Sequence, residues 1–371
     1  MKTEIFGTFG PACQEKETIE KMITAGMTGM RLNLSHTTLW EGRNYLEAYQ
    51  QAAANMEIRP QILIDMQGPE LRVGNLSEPL DLAQGEEIIF CHCALLEQIP
   101  TKKDSDKREE QILSQAVADA VHIQDQTDKF VNKKIIPVPV GVIKAVEQGD
   151  EILLDDGKIC LKITRMENEI IYANVHRGGI LRSHKSIKLV DKNVDLPPLT
   201  QHDIENIKYA KAFGVTALMQ PFVRGKEDLI YVREVLKQHG AADVQIFAKI
   251  ENRIGIEHLE EIIFEADVII IARGDLGNDM PLWELPRVQK QIEAACHKAD
   301  KPYIVVTQML ASMETNPVPT RAEVSDIFHA VYHGAWGVML TGETAVGRYP
   351  VEAIRYLVNT AQEASAYRSI I

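Results

Sequence analysis

The chain has 371 residues, 45% hydrophobic and 25% charged, the balance of a soluble globular protein with one large or two unequal domains. A formal net charge of −13 argues against a general nucleic-acid binder or a protein held on an anionic membrane, and leaves only a local basic pocket for an anionic small molecule. The opening MKTEIFGTFGPA has neither a charged leader nor a cleavage signal, and no run of about 18 apolar residues occurs, so a cytoplasmic protein without membrane spans is expected.

β-Branched runs alternate with helical periodicity from the start: EIFGTF then EKETIEKMITAG, GMRLNLS then EGRNYLEAYQQAAAN, and QILIDM as a third strand. Residues 72–194 change character. Runs such as EEIIF, KIIPVPV, DEILLDD, KICLKI and EIIYANV, divided by polar and glycine-containing turns, read as an inserted β-rich domain. Within it Cys91-His92-Cys93 invites a metal reading, but one-residue spacing on a strand lacks the loop that structural zinc uses, so buried thiols are expected. The other cysteines, 13, 160 and 296, are scattered, and a total of five makes a disulfide framework unlikely to be the organising feature. Asp155 and Asp156 before Gly157 read as a hairpin turn.

The alternation then resumes with VTALMQ, QIFAKIE, DVIIIAR, PYIVVTQ and GVMLTGE, each followed by a helical segment. Eight strand–helix units predict an α/β fold, a TIM (β/α)8 barrel made of residues 1–71 and 195–371, with the β-rich domain of residues 72–194 inserted after strand 3. A doubly wound open sheet is the alternative. Its usual phosphate signatures, G-x-G-x-x-G after the first strand or a P-loop, are missing.

A barrel of this kind carries its chemistry at the C-terminal ends of its strands. Polar residues collect there: Arg31, Asn33 and Ser35 at period two, Asp65, Lys249 with Glu251, Arg273 with Asp275, Thr307 with Gln308, and Thr341 with Glu343. Alone, Lys249 and Glu251 read as a solvated surface pair. Converging on one rim, Glu251 and Asp275 offer the two carboxylates that Mg²⁺ commonly takes from protein, and Arg31, Arg72 and Lys249 offer positive charge for a phosphoryl group. The backbone N–H groups of Gly274 and Asp275 could receive a substrate carboxylate, although Asp275 also reads as a helix N-cap.

The segments GTFGPAC, GMRLNLSH, IDMQGPELR, LLDDG, FAKIEN, ARGDLG, VTQMLASM, PTRAEVSD and MLTGETAVGRYPVEA follow the order and spacing of pyruvate kinases, and the chain resembles that family over nearly its whole length. The resemblance implies that the inserted domain is a lid and that the reaction passes the phosphoryl group of phosphoenolpyruvate to ADP, giving pyruvate and ATP through an enolate. It implies Lys249, Thr307, Arg31, Arg72 and Asp156 as catalytic residues, and Gly274 and Asp275, with Thr307 and Lys249, as substrate contacts. It implies Arg31, Asn33, His36 and Lys185 at the nucleotide, and Glu251 and Asp275 at Mg²⁺ or Mn²⁺. Asn33, Ser35, Asp65 and the carbonyl of Met66 match a K⁺ site. Potassium dependence stays open, because Met66-Gln67 stand where Thr-Lys is frequent while Glu70 matches the acid of potassium-dependent members. Pro221, Val190 and Asp191 also depart from the family pattern. The sequence stops near the eighth barrel helix, so a form without the C-terminal effector domain is expected, with a homodimer through barrel helices as its assembly. A Mg²⁺-dependent pyruvate-enolate lyase or aldolase, and a non-catalytic regulatory binding protein derived from pyruvate kinase, are the competing readings of the same rim.

Overall fold

The computed structural model describes residues 3–35, 37–92, 133–155, 157–167, 169–190, 192, 194 and 196–370. His36, Cys93, Asp156 and Asp191, singled out in the sequence, lie outside the described residues. Two compact units are formed, one by Met1–Pro69 with Pro197–Ile371 and one by Glu70–Leu196.

The first unit is a closed parallel barrel. Its strands are β1 (Glu4–Thr8), β2 (Gly29–Asn33), β3 (Gln61–Asp65), β12 (Ala217–Gln220), β13 (Gln245–Ile250), β14 (Val268–Ala272), β15 (Tyr303–Val306) and β16 (Gly337–Met339), in the cyclic order β1-β16-β15-β14-β13-β12-β3-β2. All eight fall on the runs read from the sequence. Side chains alternate between two apolar shells, as period two requires. Ile246, Ala248 and Ile250 of β13 pack outward among the helices with Ile62, Ile64, Met30 and Leu32. Phe247 points inward and joins Phe6, Leu63, Met219, Ile270, Ile304 and Met339 inside the barrel, with Trp336 beneath it at a ring separation of 6.2 Å.

The same alternation carries polar side chains to the top of the interior. Lys249 shares the inward face of Phe247, Asp65 that of Leu63, and Thr8 that of Phe6. Arg31 follows the rule too, since its neighbours Met30 and Leu32 face outward. The barrel interior is therefore apolar below and charged in its uppermost layer.

Several strands stop earlier than the sequence suggests. β2 ends at Asn33 and Ser35 lies in a turn, where its N–H donates to Asn33 Oδ1 at 3.1 Å, so Ser35 does not continue the inward face of Arg31 and Asn33. β14 ends at Ala272 because helix α8 (Arg273–Asn278) begins on the next residue. β15 ends at Val306 because Thr307 and Gln308 take φ of 80° and 55°, which no strand accommodates.

In the second unit, β4 (Leu80–Leu82) pairs with β10 (Gly179–Leu181), and a six-stranded sheet runs β11 (Ile187–Leu189), β7 (Glu151–Leu154), β8 (Ile159–Glu167), β9 (Ile170–Arg177), β5 (Glu87–His92), β6 (Ile135–Val138). Its core includes Ile88, Phe90, Ile136, Ile152 and Leu161. The expected turn joins β7 to β8, with Asp155 at φ 48° and Gly157 at φ 78°. Cys91 is fully buried on β5, and no group of three or more His, Cys, Asp or Glu side chains is placed to hold a metal among the described residues.

Phe247 fills the barrel beneath the charged layer, so Phe247→Ala should destabilise the protein by about 3–5 kcal/mol. Urea unfolding followed by far-UV circular dichroism measures it; a loss within about 1 kcal/mol would show that the interior closes over the gap.

Candidate active site

Arg31, Asp65, Lys249 and Glu251 form one buried cluster. Arg31 Nε and Nη2 reach Asp65 Oδ2 at 2.8 and 2.7 Å, and Lys249 Nζ stands 3.2 Å from Asp65 Oδ1. Lys249 Nζ is also 2.9 Å from Glu251 Oε1. The surface-pair reading of Lys249 and Glu251 is thereby corrected: the lysine side chain is 12% exposed and the glutamate side chain 0%. Two residues flanking Ile250 at a strand end are buried together because Asp65 and Arg31 contribute the further charges of the cluster.

Burial alone would raise the Asp65 carboxyl pKa, but Lys249 and Arg31 outweigh it and hold that pKa below the usual value. Burial likewise opposes the Lys249 charge, yet Asp65, Glu251 and Asp275 together raise the lysine above its ordinary value. Glu251 goes the other way. Burial pushes its carboxyl up to about 8, offset only in part by Lys249, while Asp275 and Asp65 push it further up. Its Oε2 accepts the Phe222 N–H at 2.8 Å. Its Oε1, although close to Lys249 Nζ, lies off hydrogen-bonding geometry and has no hydrogen-bond partner. A buried acceptor left in this condition is costly and open to a cation.

Asp275 lies in the short helix α8, half-buried, and makes no hydrogen bond or ion pair to a described residue; its charge acts on both Lys249 and Glu251. Gly274 beside it leaves room for Thr307, since a Cβ at 274 would stand 2.9 Å from Thr307 Cγ2. Thr307 itself is held by a residue the sequence reading left without a role. Arg273 Nη2 donates to the Thr307 carbonyl at 2.8 Å and Nη1 to Asp326 at 2.6 Å. The left-handed backbone of Thr307 thus has a fixed hydrogen-bond partner, as a strained position requires.

Other supports were not singled out either. Asp203, fully buried, accepts the N–H groups of Gln67 and Gly68 at 2.8 and 3.0 Å and those of the Thr200 backbone and hydroxyl at 2.8 Å each. It pins the loop that follows Asp65. The T-x-x-D pattern of a capping box was its only sequence signal. Pro221, a departure from the family pattern, packs on that loop: a Cβ at Gly68, where φ is 62°, would lie 2.4 Å from Pro221 Cγ. Asn252 caps the helix at Arg253–Glu257 through Gly255 N at 2.7 Å. Glu343, read from sequence as a rim charge, is buried and accepts the N–H groups of Leu310 and Thr341 at 2.9 and 2.8 Å, so it braces two loops and does not face a ligand.

The remaining candidates divide between the units. Asn33 sits at the end of β2, and the Met66 N–H donates to Met219 O at 3.1 Å. Arg72 belongs to the second unit, where its guanidinium meets Glu70 at 2.6 Å and the His184 carbonyl at 2.7 Å. Lys185 pairs with Asp155 at 2.7 Å in the same unit.

A sequence model described as pyruvate kinase, barrel domain, matches residues 1–125 and 96–354. The chain belongs to the pyruvate kinase family. It is 37% identical over 368 residues to a pyruvate kinase of Thermococcus litoralis, covering 99% of this chain and 70% of that protein. It is 34% identical to pyruvate kinases of Bacillus licheniformis and Staphylococcus aureus over 100% and 98% of this chain, and spans 59% and 57% of their lengths.

The three central groups titrate in separate windows. Asp65, with a lowered pKa, contributes stability that is lost only as pH falls through that value, and Lys249, raised, changes only in alkali. Glu251, raised, favours the protonated fold, so this contribution is lost as pH climbs towards about 8. In EDTA, the melting temperature of wild type should therefore fall relative to Glu251→Gln between about pH 5 and about pH 8, and run parallel to it above that. Parallel melting curves for the two proteins across that window would remove the buried-carboxyl account.

Proposed function

We propose that the chain catalyses Mg²⁺-dependent phosphoryl transfer from phosphoenolpyruvate to ADP, giving pyruvate and ATP. The observation that carries the reading is the buried Oε1 of Glu251, ion-paired with Lys249 but without a hydrogen bond, beside the Asp275 carboxylate, which has no hydrogen bond or ion pair among the described residues. Two carboxylates with spare acceptor capacity fit Mg²⁺, which keeps its other positions for water and substrate oxygens. When bound, the ion would supply positive charge to the phosphoryl and enol oxygens.

The chain's own residues do the rest. Lys249, kept charged by its acidic neighbours, is a point charge for the equatorial oxygens of the transferring group and for the enolate left behind. Arg31 is held in place by Asp65 and adds a second fixed cation on the same side. Thr307, packed over Gly274 beside Asp275, sets a hydroxyl where the enolate carbon would receive its proton, directly or through water. The N–H groups at Gly274 and Asp275 suit the substrate carboxylate. In the second unit the same reading assigns a phosphate contact to Arg72 and nucleotide contacts to Lys185, with His36 and Asn33 of the first unit.

K⁺ fits less well. Of its proposed donors, Asn33 Oδ1 already accepts the Ser35 N–H and the Asp65 carboxylate is shared by Arg31 and Lys249, so no free anionic donor faces that position. No step is assigned to it.

Pyruvate formation from phosphoenolpyruvate and ADP, with and without Mg²⁺ and K⁺, tests the reading. Turnover should require Mg²⁺ and fall on the order of a thousandfold in Lys249→Met. A wild type that binds Mg²⁺ and phosphoenolpyruvate but makes no pyruvate would refute it. Arg273→Lys keeps the charge but loses the two-point hold on Thr307 and Asp326, so kcat should drop by roughly tenfold with KM for phosphoenolpyruvate little changed. A loss in KM alone would mean that Arg273 acts on binding and not on Thr307.

A further inference from the structure

At the opposite end of the barrel from the charged cluster, a cavity of about 560 Å³ opens where β15 and β16 begin. Its size is that of a small-molecule site. Its wall comes from the C-terminal ends of three helices, α9 (Leu285–Lys298), α10 (Arg321–Tyr332) and α12 (Pro350–Arg368), and from the residues that lead into β1, β15 and β16.

In a chain of net charge −13, this wall carries two cations, Arg368 and Lys301, with the His297 imidazole beside them, against a single acid among the described residues, Asp300. Lys301 is anchored on the Ala266 carbonyl. Arg368 makes no hydrogen bond or ion pair among the described residues. Its position is nevertheless set by the fold. Gly334 has φ of 94°, and a Cβ there would lie 2.8 Å from Arg368 Nη1 and 2.6 Å from His297 Cε1. The guanidinium and the imidazole thus converge on one bare stretch of backbone, close enough to share a single anion. That backbone is itself held rigid, because His297 Nε2 and the Tyr303 hydroxyl both donate to the His333 carbonyl, at 2.6 and 2.9 Å.

The same lining carries two hydroxyls, Thr3 and Ser365, 3.4 Å apart, the second one helical turn before Arg368 and donating to the Ala361 carbonyl at 2.8 Å, and the apolar side chains of Trp336, Val331 and Ala335. Cys296 also lines the cavity, but burial pushes its thiol up to about 12, so it brings no competing negative charge. A guanidinium without a hydrogen-bond partner among the described residues, beside the Lys301 ammonium, selects an oxyanion. The apolar side chains select a ligand with a hydrocarbon part.

We propose that this cavity binds a small organic oxyanion, a carboxylate or phosphate monoester carrying an apolar body. The site is independent of the reaction proposed above and uses none of its residues.

Trp336 provides the readout. The other two tryptophans, Trp40 and Trp283, are 52% and 83% exposed and tolerate replacement, so a Trp40→Phe, Trp283→Phe background leaves Trp336 as the reporter. Titration of that protein with phenyl phosphate and with benzoate should give a saturable change in emission for at least one of them, and binding should weaken by at least about tenfold in Arg368→Gln. Arg368 is exposed in the last helical turn, so an unchanged melting temperature is expected for that variant. Lys298→Gln, which removes an exposed cation at the C-terminal end of α9 already paired with Glu260, should leave the titration unaltered. Inorganic phosphate should compete only weakly, because it cannot use the apolar side chains. A non-saturating response to both probes, equal binding by Arg368→Gln, or equal weakening by Lys298→Gln would each overturn the proposal.

Discussion

The top of the barrel depends on one carboxylate shared by two cations. Asp65 is bound by Arg31 and by Lys249, and the three residues come from β3, β2 and β13. Because β12 lies between β3 and β13 in the cyclic order, this contact closes over a strand that contributes no charge of its own and ends in buried Gln220. Removing any one member would strand the others in a low-dielectric layer, which is far more costly than never having placed them there. Such a cluster is a poor way to gain stability over a packed apolar layer. It is a good way to hold two cations in fixed positions, facing inward, before any ligand arrives.

Fixing the charges also dictates where the strands must stop. An inward side chain at the last strand position can face a ligand only if the backbone turns away immediately afterwards. Phe222, Thr307 and Gln308 do this with φ of 52°, 80° and 55°, conformations that cost non-glycine residues on the order of 1 kcal/mol or more each. Each turn is secured by a site residue or its neighbour. Glu251 accepts the Phe222 N–H, and Arg273 donates to the Thr307 carbonyl. The chemistry and the backbone geometry therefore use the same atoms, so the strained turns and the charged layer stand or fall together.

This explains which features the sequence disclosed. Period-two alternation in QIFAKIE and QILIDM was enough to place Phe247, Lys249, Leu63 and Asp65 on the inward face, and the strand–helix count was enough for a closed barrel, because both depend only on local patterning. The strand ends were less legible. Thr307 and Gln308 have side chains that a strand tolerates, and nothing local announces that an arginine on the preceding unit will capture their backbone. Asp203 and Glu343 were opaque for the same reason: a carboxylate that serves two or three backbone donors looks, in sequence, like a cap or a rim charge. Motif resemblance supplied candidate ligand contacts but was silent on the residues that hold loops in place.

The charge count at the rim gives the cluster a further property. Arg31 and Lys249 supply two positive charges, whereas Asp65, Glu251 and Asp275 supply three negative ones if all are ionised. A buried layer tolerates such an imbalance poorly, and the deficit falls on a fully buried carboxylate with few donors. That member is Glu251, with one hydrogen bond at Oε2 and none at Oε1. A proton relieves it: burial first, and then the neighbouring Asp275 and Asp65, push this carboxyl up to about 8. A divalent cation between Glu251 and Asp275 would relieve it instead, and would leave the layer with net positive charge where an anionic substrate must settle. On the proposed reading, proton and metal would compete for one deficit, and the excess of carboxylate would favour a divalent cation able to receive phosphate.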